Sequence, residues 1–95
     1  MMTAQQLNAT IAMFADAEAD YAGDYMALLA VIARLGYTIT DTSETKNTGY
    51  AAVISKSGLT MTGYGETLNH AACVALIKLN DLILRNEAMI ETGEL

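Results

Sequence analysis

The stretch Tyr37–Tyr64, YTITDTSETKNTGYAAVISKSGLTMTGY, decides the fold. Tyr37 to Thr42 alternates and is rich in Tyr, Ile and Thr, which reads as a strand. Ser43 to Thr48 is polar and runs into Asn47-Thr48-Gly49, a turn signal. Tyr50 to Ser55, with Val53 and Ile54, reads as a second strand, and Leu59 to Tyr64 as a third. Lys56-Ser57-Gly58 between them is a tight hairpin connection. Short connections make the three strands antiparallel neighbours, a meander over 37–64.

Both flanks carry helical spacing instead. Downstream, Leu68, Ala71, Ala72, Ala75, Leu76, Leu79, Leu82 and Ile83 recur at i, i+3, i+4 and i+7, which predicts a helix over 67–90 with Thr67 as its cap. Cys73, Val74, Ile77 and Leu84 widen its apolar stripe beyond one face, enough for the sheet, the N-terminal helices and a further subunit. Upstream, residues 1–35 read as helical. Thr3 with Gln6 forms a capping box ahead of Leu7, Ile11 and Phe14. Gly23 predicts a bend, or two helices, near Ala22–Gly23. Tyr25, Leu28, Leu29, Ile32 and Leu35 then make an apolar face, ended by Gly36 with Arg34 near the negative pole of the helix. The expected fold is α+β in the order ααβββα: N-terminal helices, a three-stranded antiparallel meander and a long C-terminal helix packed on the sheet. A chain of 95 residues is expected to form a single domain over 1–95.

Charge bounds the function. Eleven acidic residues face five basic ones, giving a net charge of −6. Such a balance repels nucleic acid and anionic membrane and suits a basic partner. No basic residue precedes Arg34, so no secretory leader is expected, and the longest apolar run, Met26 to Ala33, is too short for a membrane span. The expectation is a cytoplasmic protein with no membrane contact. The lone Cys73 permits no intramolecular disulfide.

Candidate chemistry is thin. Helix, three strands and helix is also the layout of double-stranded-RNA-binding domains, which grip phosphates with Lys at the start of the last helix. Here that place reads Gly65-Glu66-Thr67-Leu68-Asn69-His70, with no Lys before Lys78, so direct nucleic-acid binding is not expected. Gly63-Tyr64-Gly65 fits a sharp strand-to-helix turn better than a phosphate cradle, since Glu66 would repel the anion. His70 and Cys73 lie three apart on a helix, but a zinc site needs three or four ligands and no other His or Cys exists. No orienting group marks Cys73 as a nucleophile. The expectation is a protein that is not an enzyme and has no metal or cofactor.

The acidic run is the feature left. Asp16, Glu18, Asp20 and Asp24 place four negative charges in nine residues. Asp16, Asp20 and Asp24 have i, i+4, i+8 spacing, so on a helix they would form a row at roughly 6 Å intervals. Like charges so placed destabilise a helix by about 0.2–0.5 kcal/mol per pair, a cost with a use if the row stands in for a phosphate backbone before a Lys/Arg groove. Tyr21 and Tyr25, also four apart, would supply contact area beside it. The expected partner-binding residues are therefore Asp16, Glu18, Asp20, Tyr21, Asp24 and Tyr25. The alternative is a solvated helix face with the two tyrosines in the core.

The stretch Tyr37–Leu79 resembles the small phage proteins with an ABA-sandwich domain, through Gly63, Tyr64, Gly65 and Thr67 followed by Ala71, Cys73, Ala75 and Leu76. That resemblance implies a hairpin, a glycine–aromatic–glycine–Thr turn, and a helix of spaced small residues. A short, acidic chain of this kind also resembles the anti-CRISPR proteins by profile, with no residue role carried over. That likeness implies a nucleic-acid mimic in the bacterial host cell that inhibits a basic host protein or a CRISPR effector complex. A competing expectation is a phage structural or accessory protein that self-assembles, as a homodimer or beyond, through its wide apolar last helix.

Overall fold

The computed structural model describes residues 2–46 and 49–92, with side chains as far as Glu87. The elements are α1 (Ala4–Ala15), α2 (Tyr25–Arg34), β1 (Thr38–Thr45), β2 (Gly49–Lys56), β3 (Leu59–Gly65) and α3 (Leu68–Thr92). The order is ααβββα, as the sequence predicts. The expected turn residues Asn47 and Thr48 lie outside the described residues, as do Gly93–Leu95.

Each helix begins where its cap demands. Thr3 accepts from the Gln6 amide and donates its own amide to the Gln6 side chain, a complete capping box. Asp24 accepts from the Met26 and Ala27 amides and starts α2. The Thr67 hydroxyl accepts from the His70 amide at the start of α3. At the end of α2, Gly36 takes φ of 83°. Its amide donates to the Ala33 carbonyl and that of Tyr37 to Ile32, the two bonds of a Schellman motif. Lys56 lies over the Tyr37 ring, and its Nζ donates to the Leu35 carbonyl at 2.8 Å, at the negative end of α2.

The sheet order is β1-β2-β3, antiparallel throughout. β2 and β3 turn at Ser57-Gly58, both at positive φ, as a two-residue hairpin requires. β1 runs to Thr45, three residues beyond its expected end at Thr42. Ser43, Glu44 and Thr45 are paired with Ala51, Tyr50 and Gly49, so ladder bonds override the turn-like composition.

Alternation sends Ile39, Tyr50, Ala52, Ile54, Met61 and Gly63 toward the helices and leaves Asp41, Ala51, Val53, Thr62 and Tyr64 on the opposite face. α3 lies over β2 and β3, while α1 and α2 pack on the flank of α3 and α2 also reaches β1. The core holds Leu7, Ile11, Leu28, Ile54, Leu76 and Leu79, all fully buried. α3 touches the sheet closely because Ala71 and Ala75 meet Gly63, where a Cβ would come within 2.3 Å of helix backbone atoms.

One expectation fails. Residues 16–24 are not helical, so Asp16, Asp20 and Asp24 form no carboxylate row. α1 stops at Ala15, eight residues before the expected bend, and Asp16 turns left-handed at φ 55°. The chain then runs irregularly to Asp24, whose side chain opens α2. The segment has no apolar spacing to bury as a helix, and contacts distant in sequence hold it instead: Asn8 bonds Asp20 and the Ala22 amide, and Tyr21 enters the core.

Candidate protein-binding site

α1 buries Leu7, Ile11 and Ala15 and turns the opposite face outward. Along that outer face, Gln5, Asn8, Ala9, Ala12 and Met13 border an open hollow of about 740 Å³, closed at its far end by Asp16–Ala19. Met13 is 85% exposed. The hollow therefore combines two amides, two carboxylates and a flexible thioether.

The wall formed by 16–19 is held from both ends. Tyr21 plugs into the core, 2% exposed, and its hydroxyl donates to the Ala17 carbonyl at 2.6 Å. Asn69 of α3 donates to the Tyr21 carbonyl. Asn8 pins the segment to α1 twice: its Nδ2 donates to Asp20 Oδ1 at 2.9 Å, and its Oδ1 accepts from the Ala22 amide at 2.8 Å. Arg34 Nη2 donates to the Ala15 carbonyl, so the cation that the end of α1 needs arrives from α2.

The six expected partner-binding residues thus separate. Asp16 and Glu18 are exposed on the hollow. Asp20 is exposed but occupied by Asn8 and the Gly23 amide, and Asp24 is occupied as a helix cap. Tyr21 is corrected outright, because a side chain this buried cannot be a contact anchor. Tyr25 is 38% exposed at the start of α2, away from the residues that line the hollow. Sequence reasoning missed Gln5, Asn8 and Met13. The signal was present in Met13, an apolar residue off the Leu7–Ile11–Ala15 stripe.

Asp16 sits in an unfavourable place. A carboxylate at a helix C-terminus faces the negative pole, which Arg34 on the Ala15 carbonyl offsets only in part, while the left-handed backbone is one that Asp, like Asn, adopts more readily than other non-glycine residues. Asn or Gly would be the stabilising choice there.

The thiol of Cys73 is unsuited to chemistry at neutral pH. Burial, and secondarily the Asp20 charge, push it from 9.0 up to about 12, so the neutral thiol persists. His70 Nε2 is buried without a hydrogen-bond partner among the described residues. No group of three or more His, Cys, Asp or Glu among the described residues is placed to hold a metal ion. No helix among them is long and apolar enough to cross a membrane.

No protein-family model and no curated protein matches the chain. Among solved structures, the chain is similar to a phage protein from Bacillus cereus ATCC 14579, with a TM-score of 0.67 and 16% identity. The likeness covers 81% of this chain and 91% of that one, and it is a likeness of fold.

Proposed function

We propose that this chain is a phage-type binding protein whose hollow along α1 receives Lys or Arg side chains from a basic protein surface. The observation that carries the reading is Asp16: an exposed carboxylate held where it costs stability, beside Glu18 and the exposed Met13. Charges that lower stability and survive in a fixed geometry fit a binding role, where they speed encounter and select the partner. Met13 supplies adaptable apolar contact area next to them. The net charge of −6 adds long-range attraction of the same sign.

The partner class that best fits is a nucleic-acid-handling complex of a bacterial host, whose phosphate-binding groove would accept carboxylates in place of phosphates. A CRISPR effector is the first candidate, on the likeness of profile to anti-CRISPR proteins. Neutralising the pair with Asp16→Asn and Glu18→Gln should weaken capture of basic partners from host lysate and reduce the salt dependence of binding. Asp16→Asn alone should also raise stability by about 0.3–1 kcal/mol by relieving the helix dipole. Recovery of the same partners, equally and at every salt concentration, by parent and doubly neutralised protein would refute the reading. If binding persists and a purified effector still binds its target DNA in the presence of the parent, the CRISPR assignment fails with it.

A second reading, assembly of copies through α3, is favoured by one specific observation. The outer edge of the helix keeps Val74 and Ile77 half-buried and Leu84 55% exposed.

A further inference from the structure

We infer that two copies of this chain pair β3 with β3′ antiparallel about a two-fold axis at Thr62, giving one six-stranded sheet with the two α3 helices side by side. The surface involved is separate from the hollow on α1, so the two proposals stand or fall independently.

The two edges of the sheet differ in kind. β1 carries Asp41 and Glu44, and its register shifts between Ile39 and Asp41, the devices that blunt an edge against further pairing. β3 has neither. Leu59-Thr60-Met61-Thr62-Gly63-Tyr64-Gly65 is uncharged, contains no Pro and pairs regularly with β2 over all seven residues. Its outer backbone groups form an unprotected template for another strand. In a chain of net charge −6, a second copy can approach only where acids are scarce, and this edge is such a place.

Beside it runs an apolar groove of about 340 Å³, lined by Tyr64 of β3, by His70, Val74, Ile77 and Lys78 of α3, and by Met2. The spacing of strands and helices fits the arrangement. α3 lies over β2 and β3, so its twin would lie over β3′ and β2′, two strand spacings away. Two spacings of about 4.8 Å give roughly 9.6 Å, within the 8–10 Å at which helices pack.

The seam is also self-complementary. Along the open side of α3, His70, Val74, Ile77, Asp81 and Leu84 recur at intervals of four and three, a knobs-into-holes pattern. A Cβ at Gly65 would meet His70 and Ala71, and one at Gly63 would meet Ala71 and Ala75. One residue further along the strand, Thr62 therefore sits beside α3 at about Ala75, given rises of roughly 3.4 and 1.5 Å per residue. A two-fold axis there sets Val74 against Ile77′ and His70 against Asp81′. His70 is half-buried, so the exposed part of its side chain would face that carboxylate, while its Nε2 stays covered within its own copy. Asp81 Oδ2 is held by Arg85, which leaves its other oxygen for that contact. Strand edge and helix face together would cover on the order of 600 Å² per copy, near the low end for stable dimers.

Sedimentation of the intact protein should give twice 10.1 kDa at about 100 µM, a hundredfold above a micromolar Kd. Thr62→Cys should oxidise to a covalent dimer, because residues directly opposite in an antiparallel pair stand about 4.5–5.5 Å apart, within disulfide range. Ser43→Cys on β1 should stay monomeric under the same oxidation. Cys73 gives no background, since it is fully buried. Ile77→Lys should halve the mass without loss of far-ultraviolet circular dichroism. Should that half-buried change disturb folding, Thr60→Lys, exposed on the edge strand, should halve it instead. A monomer at the stated concentration overturns the inference. So does a dimer that survives Thr60→Lys, or cross-linking of the Ser43→Cys variant where the Thr62→Cys variant stays uncross-linked.

Discussion

Gly63→Ala is the change to which the packing of this fold should be most sensitive. A Cβ at that position would lie 2.3 Å from the Ala71 carbonyl oxygen, 2.3 Å from the Ala75 amide nitrogen and 2.9 Å from the Ala75 Cα. Ordinary contact begins at 3.4 Å, so α3 and β3 must separate by about 1 Å. Such a gap forfeits roughly a quarter to a half of the dispersion well for each facing pair. The facing residues Ala52, Ile54, Ala71, Ala75, Leu76 and Leu79 are all fully buried, so no slack exists to absorb the movement. Overpacking of this kind costs about 1–3 kcal/mol, and the upper end applies where the obstructing atoms are backbone. At roughly 4–8 °C per kcal/mol for a chain of this size, the thermal midpoint should fall by about 12–24 °C. The assay is thermal and urea melting by circular dichroism on parent and variant. Adding Ala75→Gly should not rescue the loss, because the Cβ it removes is not what Gly63→Ala strikes. A loss under about 0.5 kcal/mol, or full rescue by Ala75→Gly, would refute the claim that strand and helix touch backbone to backbone.

Leu76→Ala and Leu79→Ala should each cost about 2–5 kcal/mol in urea melts, since both side chains are fully buried under α3. Asp24→Ala should cost about 1 kcal/mol through loss of the bonds to Met26 and Ala27, whereas Asp24→Asn should be nearly neutral by the same melts. Alkaline pH should destabilise the fold. Burial raises both Cys73, to about 12, and Tyr37, so the folded state holds these protons more tightly than the unfolded chain. That stability is complete below pH 9.0, the ordinary value for the thiol, and is lost as pH rises toward 12. Cys73→Ala should flatten the decline in thermal midpoint over that window, and an unchanged slope would count against it.

The parts of the fold legible in the sequence are those fixed by nearby chemistry. Thr3 with Gln6, Gly36, Ser57-Gly58 and Thr67 each satisfy backbone groups within a few residues, so residue type alone locates them. The failure at 16–24 has the opposite cause. Its alanines read as helix by propensity, but the conformation is set from a distance, by Asn8 reaching Asp20 and Ala22 and by Tyr21 entering the core. Spacing assigned Tyr21 and Tyr25 to one face of a helix that does not form. The same distinction governs the site. Asp16 and Glu18 are visible as charge, whereas the role of Gln5, Asn8 and Met13 depends on where the segment after Ala15 turns.

The placement of charge shows how an acidic chain can keep two different surfaces. Two of its cations serve helix ends, Arg34 on the Ala15 carbonyl and Lys56 on the Leu35 carbonyl. A third, Arg85, is paired with Asp81. None of the three lines the α1 hollow, so Asp16 and Glu18 face no cation among the residues that border it. The β3 edge, in contrast, is charge-free from Leu59 to Gly65, and the groove beside it carries a single Lys. Uniformly spread acid would forbid self-association, and uniformly neutral surface would give no attraction to a basic partner. Segregation permits both. If the β3 edges pair, each dimer presents two hollows at a fixed separation. Binding to a partner with two basic sites then becomes partly intramolecular and gains avidity without any new contact. Weak individual hollows would suffice under that arrangement. Thr60→Lys, which leaves the hollow intact, should then lower affinity for a two-site partner while leaving affinity for a one-site fragment unchanged.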